Sequence, residues 1–332
     1  MSWEEKLDFT SARSFARGIM VAAAACLAFA PAQAQDYPRK AVTLYVGGSP
    51  GGGGDLMARS LANGLQGVLG QPFTVINKPG ASGNLATELL ANAPADGYSL
   101  ILAYTGHVIN PALFKTLPFD PIADFKPVTM VAGSTLVLVV PKDSTAASQQ
   151  DVIDLARANP GRLNTGILVG SSTHMALAEF VRASGMDVAM IPYQSNADAL
   201  QDLLGGRLDF MFNTLQSSLP MLESGQLRAL SVSSPERIPS MPDLPTVAES
   251  GVPGFSSVSW YGLLAPADTP DDIVSKLYDA TKKALETPEL TGLMEKTGNE
   301  VIAMPPAEFS RFIATEIQRY RTLADEIGLK RQ

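Results

Sequence analysis

Short apolar runs alternate with stretches of helical periodicity along the first third of the chain. Three runs are typical of buried strands, at 41–46, 73–77 and 98–104. Between the first two, one apolar helix face is indicated by Met57, Leu61, Leu65 and Leu69. Asp55 is predicted to cap this helix, and a second helix is predicted to begin near Asn84. This order of strands and helices predicts a parallel α/β sheet.

The same alternation returns in the second half of the chain. Strands are predicted at 134–141, 163–170, 188–193, 208–213 and 260–266. Helices are predicted at 146–160, 175–185 and 197–207, and again from Pro270 onward. The proline-rich stretch 233–255 is predicted to be a loop with one short helix. Two α/β units with a return segment predict a cleft between lobes, where ligands bind at the carboxyl ends of strands.

Composition narrows the range of partners. The chain has 332 residues, 45% of them hydrophobic, which suffices for a sizeable core in two lobes. Its formal net charge is -8, and no run of Lys or Arg exceeds two residues. The sequence therefore carries no electrostatic footprint for nucleic acid, and its acidity argues against docking on anionic membranes.

The N-terminal segment has the layout of a secretory signal. Arg13 and Arg17 precede an apolar run at 18–30, and Ala32 and Ala34 form an Ala-x-Ala cleavage site. The run is too short to span a bilayer comfortably, and a buried core helix is the alternative interpretation. We expect residues 1–34 to be a signal peptide. Its cleavage would remove the single cysteine and leave an exported chain that relies on its core.

Three glycine- or hydroxyl-rich loops follow predicted strands, at 47–55, 78–84 and 170–174. Glycine lets a backbone approach a ligand closely, and a helix N-terminus adds partial positive charge. Together these features favour an anion without requiring Lys or Arg. Each loop taken alone could be only a tight turn.

The competing motif interpretations fail in detail. A phosphate-binding P-loop needs Lys and Ser or Thr after its last glycine, where this chain has Asp55 and Leu56. The dinucleotide fingerprint that starts at Gly51 and Gly53 would require a glycine at position 56. Phosphate and dinucleotide ligands are therefore disfavoured, and a carboxylate remains.

Catalytic groups are sparse. The two histidines, His107 and His174, lie near loop–helix junctions, and a structural role is favoured over ligand contact or base catalysis. The chain has neither a zinc-binding histidine spacing nor a G-x-S-x-G elbow. No catalytic residue, metal or cofactor is predicted.

Long segments of the chain resemble the Bug-type receptors, the periplasmic substrate-binding components of tripartite tricarboxylate transporters. The resemblance covers nearly the whole chain after residue 36 and rests on YPRKAVTLYVGGSPGGGGDLMAR, NKPGASGNLATELLANAPADGYSL, HVINPALFKTLPFDPIADFKPV, IPYQSNADALQDLLGGRLDFMFN, LRALSVSSPERIPSMPDLPTVAESGVPGF and WYGLLAP. It implies an α/β fold of the type II periplasmic-binding-protein (Venus flytrap) class, with a ligand cleft between two lobes and two crossing strands. Lobe 1 is expected at 35–136 plus 262–332, and lobe 2 at 137–261.

The resemblance also implies an organic acid as ligand, with one carboxylate held by the first two loops of lobe 1. Lobe 2 would select the remainder of the molecule. The predicted ligand-binding residues are Gly48, Ser49, Gly52, Ala81, Ser82, Gly83, Asn84, Tyr104, Thr105, Ser171, Ser172, Thr173 and Asn213.

The chain departs from the family pattern at positions that bear on the ligand. Gly47 and Gly48 stand where the family often has Pro and a ligand-packing Phe, and Tyr104 is a candidate to fill the space. Asn213 stands where Asp is frequent, which would remove a receptor for an ammonium group. We therefore expect a mono- or dicarboxylate without a free amine.

Two functions are compatible with these observations. The first is a monomeric periplasmic receptor that delivers the acid to membrane permease subunits. The second is an exported α/β hydrolase or isomerase that uses His107 or His174, although no nucleophile–base–orienter set supports it.

Overall fold

The computed structural model describes residues 37–193, 195–329 and 331. The predicted signal segment, 1–34, lies outside these residues. The body described below begins at Pro38.

Strands and helices alternate along most of this body. The strands are β1 (Val42–Val46), β2 (Phe73–Asn77), β3 (Ser99–Tyr104), β4 (Phe125–Pro141), β5 (Asn164–Ile167), β6 (Ala189–Pro192), β7 (Met211–Thr214), β8 (Leu227–Val232), β9 (Val258–Pro266) and β10 (Asn299–Met304). The helices are α1 (Gly53–Leu69), α2 (Asn84–Ala91), α3 (Gly106–Leu113), α4 (Gln149–Ala158), α5 (Ser172–Ser184), α6 (Asn196–Leu204), α7 (Leu215–Glu223), α8 (Asp271–Leu285), α9 (Pro288–Thr297) and α10 (Pro306–Glu326).

The first lobe is built on a mixed sheet with the strand order β10-β4-β9-β3-β1-β2. β1 pairs in parallel with both β2 and β3, so the loops that follow these three strands leave from the same edge. β9 runs antiparallel to β3 and β4. This arrangement confirms the predicted α/β class and gathers three loops at one sheet edge.

β4 connects the two lobes. Its first part, up to Thr135, pairs with β9, and from Leu136 onward it pairs with β7 and β8. β5 and β6 form a parallel pair that joins β7 through a bridge between Thr165 and Phe210. β9 enters the first sheet at Val258. The lobe boundaries expected at 136/137 and 261/262 stay a prediction.

Each lobe has its own apolar core. Trp260 and Phe309 pack edge to face in the first, and Phe180, Phe212 and Phe255 pack together in the second. Burial of such apolar side chains is the dominant favourable contribution to folding.

Two local predictions need correction. The strand predicted from Ser134 is the second half of β4, which begins at Phe125, because the residues before Ser134 are also buried and pair with β9 and β10. The proline-rich stretch 233–255 contains turns but no short helix. The turn at 246–251 replaces a helix: Thr246 and Glu249 exchange side-chain-to-backbone hydrogen bonds, and Gly251 at φ +113° ends the turn.

α5 belongs to the second lobe but also contacts the first. Met175 is fully buried in the core of the first lobe. Arg319 of α10 donates to Glu179 of α5 at 2.7 Å and holds Glu316 with two hydrogen bonds of 2.8 Å. A second ion pair joins Arg182 to Glu326 at 3.3 Å. These contacts fix the N-terminus of α5 relative to the first lobe.

Replacing Arg319 with Met should lower the free energy of unfolding by about 2 kcal/mol, between the values typical of exposed and buried ion pairs. The change leaves the carboxylates of Glu179 and Glu316, both mostly buried, without their shared partner. Urea denaturation measures the effect. Arg321→Met, an exposed position one half-turn away, is the matched control, and equal midpoints for the two variants would contradict the prediction.

Candidate functional site

A cleft of about 570 Å³ lies where the loops after β1, β2 and β3 face the loops after β5 and β6. The described residues that line it are Gly47, Gly80, Ser82, Gly83, Tyr104, Thr105, Gly106, Asn110, Leu168, Val169, Gly170, Ser171, Ser172, Pro192, Tyr193 and Ser259. None of these side chains carries a charge. Any ion bound here would have to be held by hydroxyls, amides and backbone dipoles.

The loop after β2 has an unusual backbone. Gly80, Ala81, Ser82 and Gly83 all have positive φ, at 135°, 46°, 57° and 89°. For Ala81 and Ser82 this conformation is strained, and such strain is often found at ligand-binding loops. Successive residues in a tight turn of this kind can form a concave row of N–H groups that binds anions.

The carbonyl groups of this loop are held by neighbouring side chains. Asn110 donates to the Ser82 carbonyl at 3.1 Å, and the Thr87 hydroxyl donates to the Gly83 carbonyl at 3.1 Å. Asn110 also donates to the side chain of Asn84 at 2.6 Å. These contacts fix the loop from its own side of the cleft, and within the loop the Gly83 N–H donates to the Gly80 carbonyl at 2.9 Å.

The helices that follow β1, β2 and β3 share one property. α1, α2 and α3 have no side-chain hydrogen bond at their N-caps, which are Gly52, Gly83 and Thr105. In the second lobe, by contrast, α4, α5, α6 and α7 are each capped by a Ser or Thr side chain. Uncapped N-termini retain unsatisfied N–H groups and partial positive charge, and those of α2 and α3 lie at the cleft, where Gly83 and Thr105 line the wall.

Asp55 does not cap α1 from the N-cap position, because Gly52 is the N-cap and Asp55 lies inside the first turn. Its carboxylate instead accepts from the Gly51 N–H at 2.8 Å and pairs with Arg59. The hydrogen bond from Arg59 is the main reason that the pKa of Asp55 is lowered. Burial acts in the opposite direction, and the hydrogen bond from the Gly51 N–H lowers the pKa further. Arg59 thus neutralises the Asp55 carboxylate within α1, and the hydrogen bond from the Gly51 N–H ties the glycine loop to that carboxylate.

Tyr104 fills the space that the glycines leave, as the sequence suggested it could. A Cβ atom at Gly47 would lie 2.7 Å from the Tyr104 hydroxyl and 2.7 Å from the Gly83 Cα atom. Burial, with a smaller effect of Tyr261, raises the pKa of Tyr104 to about 12. The hydroxyl therefore stays protonated at neutral pH and is available as a hydrogen-bond donor to an anion.

Hydroxyl groups from both lobes meet at the floor of the cleft. The Thr105 hydroxyl lies 3.1 Å from that of Ser259, and the Ser172 hydroxyl lies 3.4 Å from it on the other side. Thr105 also accepts the Trp260 N–H, and this contact occupies its hydroxyl instead of capping α3. Ser171 and Thr173 bond to each other at 2.8 Å.

The two histidines have structural contacts. His107 is stacked among Phe119 and Phe125 and bonds to the Pro121 carbonyl at 2.8 Å. Burial lowers its pKa to about 4, so the ring is neutral in the folded protein at neutral pH. Nδ1 of His174 accepts the Gly170 N–H at 3.1 Å, which supports the loop that carries Ser171.

The structure brings six of the predicted site residues to the cleft wall: Ser82, Gly83, Tyr104, Thr105, Ser171 and Ser172. The other predicted residues do not line it: Gly48, Ser49, Gly52, Ala81, Asn84, Thr173 and Asn213. Two of these form hydrogen bonds with residues that do line it: Asn84 with Asn110, and Thr173 with Ser171. Asn213 is fully buried and accepts a hydrogen bond from Asn196 at 2.5 Å, so its side chain is bonded within the second lobe.

Several residues that line the cleft were not predicted from the sequence. Gly47, Gly80 and Gly170 belong to loops that the glycine pattern had marked, and Gly106 and Asn110 follow the third predicted strand. Pro192 and Tyr193 lie at the end of a predicted strand. Ser259 gave no signal, because it reaches the cleft from β9, far along the chain. Its position depends on the pairing of β9 with β4.

Metal and membrane sites can be assessed for the described residues only. Within them, no cluster of three or more His, Cys, Asp or Glu side chains is placed to bind a metal ion. No helix in this part of the chain has the length and hydropathy needed to cross a membrane.

Two α/β lobes with an uncharged, dipole-rich cleft between them are the fold and site of a periplasmic binding protein. The family model described as "Tripartite tricarboxylate transporter family receptor" matches residues 57–329. The chain belongs to this family, and the resemblance to Bug-type receptors is confirmed.

Individual relatives agree with this assignment. The protein BugT of Bordetella pertussis is 34% identical over 316 residues, covering 94% of this chain and 96% of the relative. A solved structure described as "R. palustris Rpa4515 with adipate" is 34% identical, with a TM-score of 0.78, 90% of this chain covered and 100% of that chain. MatC from Rhodopseudomonas palustris, with bound malate, is 30% identical, with a TM-score of 0.73 and coverages of 86% and 99%. The family and these neighbours are solute-binding proteins, so the chain is not assigned as an enzyme.

Replacing Thr87 with Val should loosen the loop after β2 because it removes the hydrogen bond to the Gly83 carbonyl without changing the side-chain shape. One such bond contributes about 1 kcal/mol, so amide exchange at Gly83 and Asn84, whose N–H groups donate to the Gly80 and Ala81 carbonyls, should quicken roughly fivefold. Hydrogen exchange with mass spectrometry measures this. Thr281→Val removes an equivalent bond to the Leu277 carbonyl in α8 and should leave the loop unchanged. Identical exchange in both variants would refute the role of Thr87.

The stability of the protein should fall as the pH drops from 7 to 5, partly because of His107. The unfolded histidine takes up a proton near its ordinary pKa of 6.5, whereas the folded one does so only at about 4. The unfolded state therefore binds more protons in this window, and the loss from His107 is about 2 kcal/mol at pH 5. Urea titrations at both pH values should give a smaller loss for His107→Gln than for the wild type. An equal loss in both proteins would exclude His107 as a source.

Proposed function

We propose that this protein captures a small organic acid in the periplasm and delivers it to the membrane permease subunits of a tripartite tricarboxylate transporter. The observation that carries the proposal is the pair of first-lobe helix N-termini, of α2 and α3, whose N-caps Gly83 and Thr105 line the cleft and make no side-chain cap hydrogen bond. Family membership supports the transport role. The signal-like segment at 1–34 supports export.

A carboxylate fits this site better than a larger or more highly charged anion. The loop after β2 has positive φ at four successive residues, a conformation that can form a concave row of N–H groups, and the Tyr104 hydroxyl adds a neutral donor. Fixed dipoles of this kind stabilise one negative charge with little reorganisation. Two relatives of known structure are described with adipate and with malate, both carboxylates.

The acid is expected to lack a free amine. An ammonium group needs an anionic partner, and none of the described side chains that line the cleft is a carboxylate. Asn213, at a position where the family often has Asp, is uncharged and bonded to Asn196. We expect the receptor to act as a monomer that binds one solute molecule between its lobes.

The lobes would close on the solute through the floor of the cleft. Ser259 contacts Thr105 from the first lobe and Ser172 from the second, so a ligand bound there touches both lobes at once. Such bridging contacts favour the closed arrangement in hinged binding proteins.

A thermal-shift screen tests the proposal. Mono- and dicarboxylates at millimolar concentration should raise the melting temperature of the wild type without being consumed, while glutamate and aspartate should have less effect than their amine-free counterparts. Turnover of any acid, or tightest binding of an amino acid, would contradict the proposal.

Replacing Ser172 with Phe should abolish the thermal shift because the ring would enter the cleft from its floor. Ser310→Phe, an exposed position on α10 away from the cleft, is the matched control and should retain the full shift. A full shift in the Ser172→Phe variant would place the site elsewhere.

A further inference from the structure

The turn that joins β5 to α5, residues 168–171, forms a continuous part of the second-lobe wall of the cleft. Within it the Ser171 N–H donates to the Leu168 carbonyl at 3.0 Å, and Gly170 has φ +80°. A Cβ atom at Gly170 would collide with Leu113 of α3, so the turn also packs against the first lobe. The position of this wall therefore depends on what holds the turn in place.

His174, the third residue of α5, holds the turn with two hydrogen bonds. Its backbone N–H donates to the Ser171 hydroxyl oxygen at 3.1 Å, and Nδ1 of its ring accepts the Gly170 N–H at 3.1 Å. In a capping box, the third residue of a helix likewise accepts a hydrogen bond from the backbone that precedes the helix, and Glu or Gln usually supplies the acceptor. In α5 the acceptor is an imidazole nitrogen.

α4 has the same arrangement with a different acceptor. Its third residue is Asp151, whose carboxylate accepts the N–H groups of Ala147 and Ser148 at 2.9 and 2.8 Å. A carboxyl group keeps an acceptor oxygen even when it is protonated, whereas a protonated imidazole carries hydrogen on both nitrogens and has no acceptor left. Acid can therefore break the bond that His174 makes, while the equivalent bonds of Asp151 retain an acceptor.

The turn requires the neutral ring of His174. Because Nδ1 accepts the Gly170 N–H, the ring proton lies on Nε2. Burial lowers the pKa of His174 from its ordinary value. Protonation of Nδ1 would set one N–H against another and would place a cation in the first turn of α5, at the positive end of the helix dipole. A charged ring is thus incompatible with the turn as it stands.

Neighbouring charges do not offset this effect within the described part of the chain. β7, which packs against α5, has no titratable side chain, and burial is the cause of the lowered pKa of His174. On α10 and α5, the charged groups are bonded to one another further along α5. The titratable groups on α5 and on the elements that contact it are His107 on α3, Tyr261 on β9, Glu179 and Arg182 on α5, and Glu316, Arg319 and Glu326 on α10.

We infer that His174 is a positioning residue whose neutral imidazole holds the second-lobe wall of the cleft, so that acid which protonates the ring releases the wall and weakens solute binding. This inference rests on the proposed function, because it requires a solute that contacts the wall formed by residues 168–172. It adds to that function a response to acid.

The ring can be tested without a solute. In the ¹⁵N-labelled protein, ring correlations of His174 should show the proton on Nε2 and an accepting Nδ1 at pH 7. As the pH is lowered, the Gly170 amide signal should shift with the same midpoint as the ring. His107→Gln leaves one histidine in the described chain and assigns the ring signals. A proton on Nδ1 at pH 7, or a Gly170 amide that ignores the titration of the ring, would overturn the inference.

Isothermal titration with adipate tests the effect on binding. His174→Leu removes the acceptor and should weaken adipate at pH 7, whereas His174→Asn supplies an amide oxygen that does not titrate and should restore the affinity. One pH unit below the midpoint of the ring, the wild type should lose about tenfold more affinity than His174→Asn, because binding requires the ring to release its proton. The Asn variant also accounts for protonation of adipate itself in the same buffers.

His107→Gln is the matched control for this titration and should keep the pH profile of the wild type, since His107 does not contact the turn. Superimposable profiles for the wild type and His174→Asn, or full affinity of His174→Leu at pH 7, would overturn the inference while leaving the proposed function intact. If neither adipate nor any other acid of the carboxylate screen binds at pH 7, the proposed function fails, and the solute-free signals of His174 and Gly170 still decide whether the ring holds the turn.

Discussion

The structure depends on one strand that is shared by two sheets. β4 is 17 residues long, and its residues from Val128 to Val140 are buried throughout. Its backbone forms hydrogen bonds with β9 and β10 over its first part and with β7 and β8 over the part that follows. Because an unpaired buried backbone group is costly, neither sheet can shift along β4 without losing hydrogen bonds. The relative placement of the loops that form the cleft follows from this strand.

The second feature is a cleft whose described lining residues carry no charge. Asp55 and Arg59, beside the glycine loop, are paired with each other at 3.0 Å and do not line the cleft. The loop after β2 is held by Asn110 and Thr87 in a strained conformation before any ligand arrives. A rigid set of dipoles loses less entropy on binding than a long flexible Lys or Arg side chain would.

α5 links the site to the packing between lobes. Its N-terminus carries Ser171 and Ser172 into the cleft, while Met175 and Glu179 contact the first lobe further along the same helix. A helix is rigid over this length, so the cleft residue Ser172 and the Arg319–Glu179 ion pair belong to one body. The wall of the cleft and the contact between the lobes therefore share one element.

Much of the architecture was determined by local sequence. Periodicity placed most strands and helices, and the glycine loops marked the sheet edge where the cleft lies, because glycine and helix N-termini act over a few residues. The sequence also excluded phosphate and dinucleotide motifs. Only the tertiary structure decided which side chains meet: it brought Ser259 to the cleft through the β4–β9 pairing, bonded Asn110 to the loop after β2, and left Asn213 out of the cleft wall. These placements depend on contacts between residues up to about a hundred and fifty positions apart, such as Thr105 and Ser259, and no local pattern records such contacts.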